Sequence, residues 1–159
     1  MEGDSMSEKT APIPEAAVED DNTHPIGGWL WLVIGLSALM TYRLVAIAGF
    51  SDLGDGTPDY WVVAFTGDMF MGITASIVAI LLWKTRGIAI WTIAIAWHAI
   101  GIKDYLAGSQ FLGVDIPDGI PLEALVTIFA VGISFHVICI YLLTRYRHRY
   151  LGLLRSVTA

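Results

Sequence analysis

The chain alternates long apolar runs with short polar breaks. Four runs reach the roughly 20 mostly apolar residues that a membrane-spanning helix requires: residues 29–50, 60–83, 87–107 and 120–143. Together they hold nearly all the apolar residues of the sequence. The pattern predicts an all-α polytopic membrane protein. Its core is a four-helix transmembrane bundle within residues 27–146, set between an acidic head at 1–26 and a basic tail at 147–159.

The polar breaks differ in charge, and that difference predicts orientation. Lys84 and Arg86 fill the break after the second run, and Arg145, Arg147, Arg149 and Arg155 follow the fourth. Basic residues stay on the cytoplasmic side, whereas acidic ones count for little. The other two breaks carry Asp52, Asp55, Asp59, Asp115 and Asp118 with no base, so they face outward. Both termini are therefore expected in the cytoplasm. The segment before the first run has seven acids against one lysine, where a secretory signal needs a basic start, so the first run reads as a retained span. That head has too few large apolar groups for a core of its own. The basic tail, which should emerge on the same face, or a partner protein would hold it.

Composition sharpens this picture. At 55% hydrophobic residues and a mean hydropathy of +0.64, the excess apolar surface must face lipid. The single cysteine, Cys139, lies in an apolar run and excludes an internal disulfide or a Cys-based zinc motif. No phosphate-binding glycine loop, HExxH or Gly-x-Ser-x-Gly occurs, so an enzyme is not indicated, and nothing suggests a nucleic-acid partner. Trp29, Trp31, Trp61 and Trp83 sit at run ends, as aromatic belts do, while Trp91 and Trp97 lie deeper.

Ionisable side chains inside the runs are the candidate chemistry, because each costs on the order of 3 kcal/mol or more unless paired or hydrated. Counting about 1.5 Å per residue puts Arg43 and Asp68 at one depth, roughly 5 to 7 Å outward of the midplane. Asp68, Gly72, Ala75 and Ala79 share one helical face, a row of small residues that lets another helix approach. Trp97, Gly101 and Asp104 share a face of the third run. Arg43, Asp68 and Asp104, with Tyr42 nearby, thus form a predicted polar cluster. Lys103 and Glu123, both shallow, form a predicted second pair.

His98, near the midplane, and His136, roughly 3 to 7 Å inward of it, are the other candidates. Imidazole ligates haem, and a single histidine can hold a chlorophyll. The offset in depth strains a bis-histidine site, however, and interhelical hydrogen bonding is the simpler role.

FTGDMFMGITASIVAILLW, WHAIGIKDYLAG and PLEALVTIFAVGISFHVICIYLL resemble a family of small bacterial four-helix membrane proteins of uncharacterised function. Members share a Gly-Asp in the second helix, a Trp-Asn-x-x-Gly-x-x-Asp stretch in the third and a histidine late in the fourth. The resemblance picks out Gly67, Asp68, Trp97, Gly101, Asp104 and His136, and departs at His98, where the family pattern has asparagine. It implies a multi-pass protein of the bacterial inner membrane, but no activity. PIGGWLWLVIGL is similar to the opening of another such family.

Three functions follow as expectations. The first is a non-catalytic accessory or structural subunit of a larger membrane complex. The second is a proton- or ion-coupled small transporter, which with so few spans would work as an oligomer. The third is a subunit binding haem or chlorophyll through His98 or His136.

Overall fold

The computed structural model describes residues 27–45, 59–112 and 121–151, the side chains of 59–61 excepted. The acidic head, the Asp-bearing segments around 52–55 and 115–118, and the tail beyond 151 lie outside these residues. All regular structure among the described residues is helical. Helix α1, Gly28–Leu39, tightens into a 3-10 segment, Met40–Val45. Then come α2, Asp59–Lys84, α3, Ile88–Ser109, α4, Leu122–Arg145, and a single turn, α5, Arg147–Tyr150.

The first expected run, 29–50, is thus described only to Val45. Three stretches are long and apolar enough to cross a membrane: Gly28–Val45, Val62–Lys84 and Leu122–Arg145. Helix α3 is similar in length at 22 residues, but Thr92, His98, Lys103 and Asp104 dilute its apolar character, and it does not join the other three. Helix α1 packs on α2 and α4, and α3 packs on the same two. Between α2 and α3 the chain reverses in three residues. Gly87 sits at φ 124°, a conformation that a residue with a Cβ rarely adopts.

Polarity is distributed inside out. Large apolar side chains such as Val63, Phe70, Ile73, Ile77 and Ile80 on α2 stand exposed on the outer faces. Ser37, Arg43, His98 and His136 are buried. A soluble domain would reverse this order, because water solvates charge and excludes hydrocarbon; here the surface suits lipid. The core beneath is Leu30, Val33, Met71, Ala75, Leu82, Trp97, Cys139 and Leu143. Ala75 and Ala79 on α2 are buried, and Leu44 lies so close to Gly72 that a Cβ there would be 2.9 Å from its backbone nitrogen. The small-residue face therefore receives the 3-10 segment at Gly72.

The end of the molecule holding the α2–α3 turn and α5 is closed by aromatic and basic groups. Trp29 stacks on Tyr146 at 5.0 Å, Tyr150 donates to the Thr85 carbonyl at 3.1 Å, and Trp91 Nε1 donates to the Leu143 carbonyl at 3.0 Å. Arg145 and Arg149 both lie over the Tyr146 ring.

Candidate functional site

The 3-10 segment builds the first part of the site. Three residues per turn bring side chains at i and i+3 onto one line, so Met40 and Arg43 face inward together, 1% and 4% exposed. Arg43 Nη2 donates to Asp104 Oδ2 at 2.7 Å. Its Nε lies 2.6 Å from Asp68 Oδ1, close enough for an ion pair but without a hydrogen-bond angle. One guanidinium thus serves carboxylates from two helices. Its face covers the Tyr105 ring at 4.1 Å, and Tyr105 and Tyr42 share a short hydroxyl–hydroxyl hydrogen bond.

The second part is the histidine pair. On α3, His98, Gly101, Tyr105 and Gly108 recur at three- and four-residue spacing on one buried face; on α4, Gly132, His136, Cys139 and Leu143 do the same, with Leu125 two turns earlier. These faces meet. His98 Nδ1 and His136 Nδ1 are 2.9 Å apart, and His98 Nε2 lies 3.4 Å from Ser37 Oγ on α1. The Trp97 ring sets its edge against both imidazoles at 4.9 and 5.6 Å, held by an Nε1–H bond to Thr74 Oγ1 at 2.8 Å. Tyr105 joins the two parts, its ring 5.9 Å from that of His136.

Three glycines are the cast into which these groups fit. A Cβ on Gly67 of α2 would collide with the Asp104 carboxylate, one on Gly101 of α3 with the His136 ring, and one on Gly132 of α4 with the Tyr105 phenol. Each polar side chain reaches the interior because the helix it meets has no side chain there.

The network comes to the surface in two places. The Asp68 and Asp104 side chains are 32% and 21% exposed, whereas that of Arg43 is 2%. Tyr42 borders an open groove of about 210 Å³, otherwise lined by Thr127, Ile128, Val131, Gly132 and Phe135. Two buried polar atoms among the described residues have no partner at all: Arg43 Nη1 and His136 Nε2.

Lys103 and Glu123 are both exposed, and no ion pair joins them. Lys103 lies on the outer face of α3, where its charge acts on Asp104 instead. The histidines, offset in depth when counted along upright helices, bridge that offset by the reach of their rings, whose centroids are 5.2 Å apart. Their separation bears on the haem reading: an iron with two axial histidines holds its ligating nitrogens on opposite faces, about 4 Å apart at about 2 Å each, whereas the two Nδ1 atoms are 2.9 Å apart. In this arrangement the rings bind each other. Ser37 and Tyr105 were not among the sequence candidates, and the inward spacing of Tyr105 from Gly101 and Gly108 was the signal available for it.

Compared with models of protein families, with curated proteins and with solved structures, the chain finds no match.

Proposed function

We propose that the chain crosses the membrane four times with both termini in the cytoplasm and works, as an oligomer, as a proton- or ion-coupled carrier. The coupling site would be Asp68 and Asp104 around Arg43. One observation carries the reading: a single buried cation faces two carboxylates. With both ionised the two carboxylates outnumber the one buried cation, the exposed Lys103 acting on Asp104 from outside, an arrangement that a proton or a small cation at Asp68 relieves. Partial exposure of the carboxylates supplies the route, and burial of the arginine keeps it as a fixed counter-charge. For α3 as the fourth span, the support is its length and its packing between α2 and α4. For orientation it is the gathering of Lys84, Arg86, Arg145, Arg147 and Arg149 at one end. The accessory-subunit reading leans on the small size, the lack of a catalytic motif, the small-residue helix faces and the acidic head, the last of which lies outside the described residues.

The test is proton flux into proteoliposomes of the full chain, read by an enclosed pH dye under an imposed membrane potential. Wild type should exceed empty vesicles, and Asp68→Asn should fall to their level. Equal traces for wild type and Asp68→Asn would overturn the reading. Native mass measurement that finds the chain only with foreign subunits would return it to an accessory role.

A further inference from the structure

The basic end holds charges that the carboxylate site does not use. Among the described residues the acids Asp59, Asp68, Asp104 and Glu123 all fall in the helix halves away from the α2–α3 turn. Lys84, Arg86, Arg145, Arg147 and Arg149 therefore have no ion-pair partner among them. These five cations are not equivalent. Arg86 donates to the Leu82 carbonyl, Arg147 Nε donates to His148 Nε2 at 3.3 Å, and Lys84 stands apart over the Trp83 ring. Arg145 and Arg149 lie over one ring, that of Tyr146, at 5.9 and 5.7 Å, and spend no donor on any described residue. A cation–π contact engages the charge of a guanidinium but none of its five N–H donors. Trp29, stacked on Tyr146, steadies the shared ring. The two arginines are thus gathered on one support, exposed, with their hydrogen-bonding capacity unspent.

What lies beneath them chooses the ligand. On α4, Tyr141, Ile138 and Val137 come four, seven and eight residues before Arg145, which puts them on its side of the helix, and all three are exposed. A guanidinium pair above an apolar strip has the layout of a lipid: N–H forks for a phosphate, hydrocarbon for an acyl chain. A free phosphate or an acidic peptide has nothing to lay along the strip. We infer that Arg145, Arg149 and Tyr146 form a binding site for one anionic phospholipid, its phosphate between the arginines and a chain along Tyr141, Ile138 and Val137. This holds whether or not the chain is a carrier, because it needs only that α4, which is long and apolar enough, crosses the membrane. Basic residues at a membrane surface attract anionic lipid in general. A site differs from that attraction in depending on which cations are present rather than on how many.

Native mass spectrometry of the full-length protein in detergent, titrated with phosphatidylglycerol, tests this through the affinity of the first bound lipid. Arg145→Gln combined with Arg149→Gln should weaken it about tenfold or more, the scale of one lost charge-assisted hydrogen bond. Lys84→Gln combined with Arg147→Gln removes the same charge from the same end and should change it by less than about twofold. Equal losses in the two double variants would mean diffuse attraction and overturn the site. Phosphatidylcholine bound as tightly as phosphatidylglycerol would overturn its preference for an anion, and displacement of the lipid by millimolar inorganic phosphate would make phosphate alone the ligand. Deleting residues 1–22 should leave the affinity unchanged. A tenfold gain on deletion would give the arginines to the acidic head and sink the lipid assignment.

Discussion

Arg86, at the turn between α2 and α3, donates to the Leu82 carbonyl at 2.6 Å and lies over the Tyr150 ring at 5.3 Å. Arg43 lies between two carboxylates, over the Tyr105 ring, with one nitrogen unpartnered. Both cations rest on a tyrosine, and the resemblance ends there. At the basic end the aromatic faces and free carbonyls are accessory to solvation, so removing one partner exposes a group to water or lipid headgroups. Around Arg43, whose side chain is 2% exposed, there is little solvent to fall back on. The same deletion there leaves a bare charge, and the energetic consequence is several times larger.

The largest effect should come from Arg43→Met, which leaves two carboxylates facing each other without a buried cation. A loss of about 3 to 5 kcal/mol is expected in detergent-mediated unfolding. Adding Asp68→Leu should restore part of it, so that the double variant loses less than the sum of the two single variants. Strict additivity would show that the pair does not interact and would erase the contrast with Arg86.

Next in size is Gly67→Ala. The new methyl displaces the Asp104 carboxylate from Arg43, with an expected cost of about 1 to 3 kcal/mol. The variant separates packing from charge: Gly67→Ala combined with Asp104→Ala should be more stable than the sum of the two losses implies, because the methyl then has room.

At the basic end Tyr150→Phe removes one hydrogen bond to the Thr85 carbonyl and keeps the ring under Arg86. About 0.5 to 1.5 kcal/mol is expected. Burial pushes the Tyr150 phenol above its ordinary range, while Arg86 pulls the other way. The donor therefore persists through neutral pH. Arg86→Ala, the smallest change, should cost about 0.5 to 1 kcal/mol through lost cation–π contact. A loss comparable to that of Arg43→Met would collapse the distinction between the two ends.

Sequence periodicity carried some of this arrangement and was silent on the rest. Residue counting at a constant rise put Arg43 and Asp68 at one depth, and their atoms are 2.6 Å apart. It worked despite the change of pitch at Met40, because only a few residues of the tighter segment precede Arg43 and each adds only about 0.5 Å of rise over the α-helical value. The 3-10 segment was not legible. MTYRLV contains no proline or glycine to announce a change of pitch, and it is packing against α2 that accompanies the tighter turn. Ser37 was hidden for a related reason. A serine in an apolar helix returns its proton to its own backbone, as Thr66, Thr74, Thr127 and Ser134 also do here, so residue type alone does not distinguish the one that meets a histidine. Lys103 and Glu123 matched in depth, but depth says nothing of azimuth, and both side chains remain exposed.

The glycine sockets have a consequence for how this protein can change over generations. Gly67 and Asp104, Gly101 and His136, and Gly132 and Tyr105 are host and guest on neighbouring helices. A lineage that gains a methyl at the host must shorten the guest in the same step or lose the contact. The three pairs should therefore covary when relatives are aligned, and a drift toward alanine at one host should be accompanied by a smaller residue at its guest. In this chain the history of the polar site would be written in the positions that contribute no side chain to it.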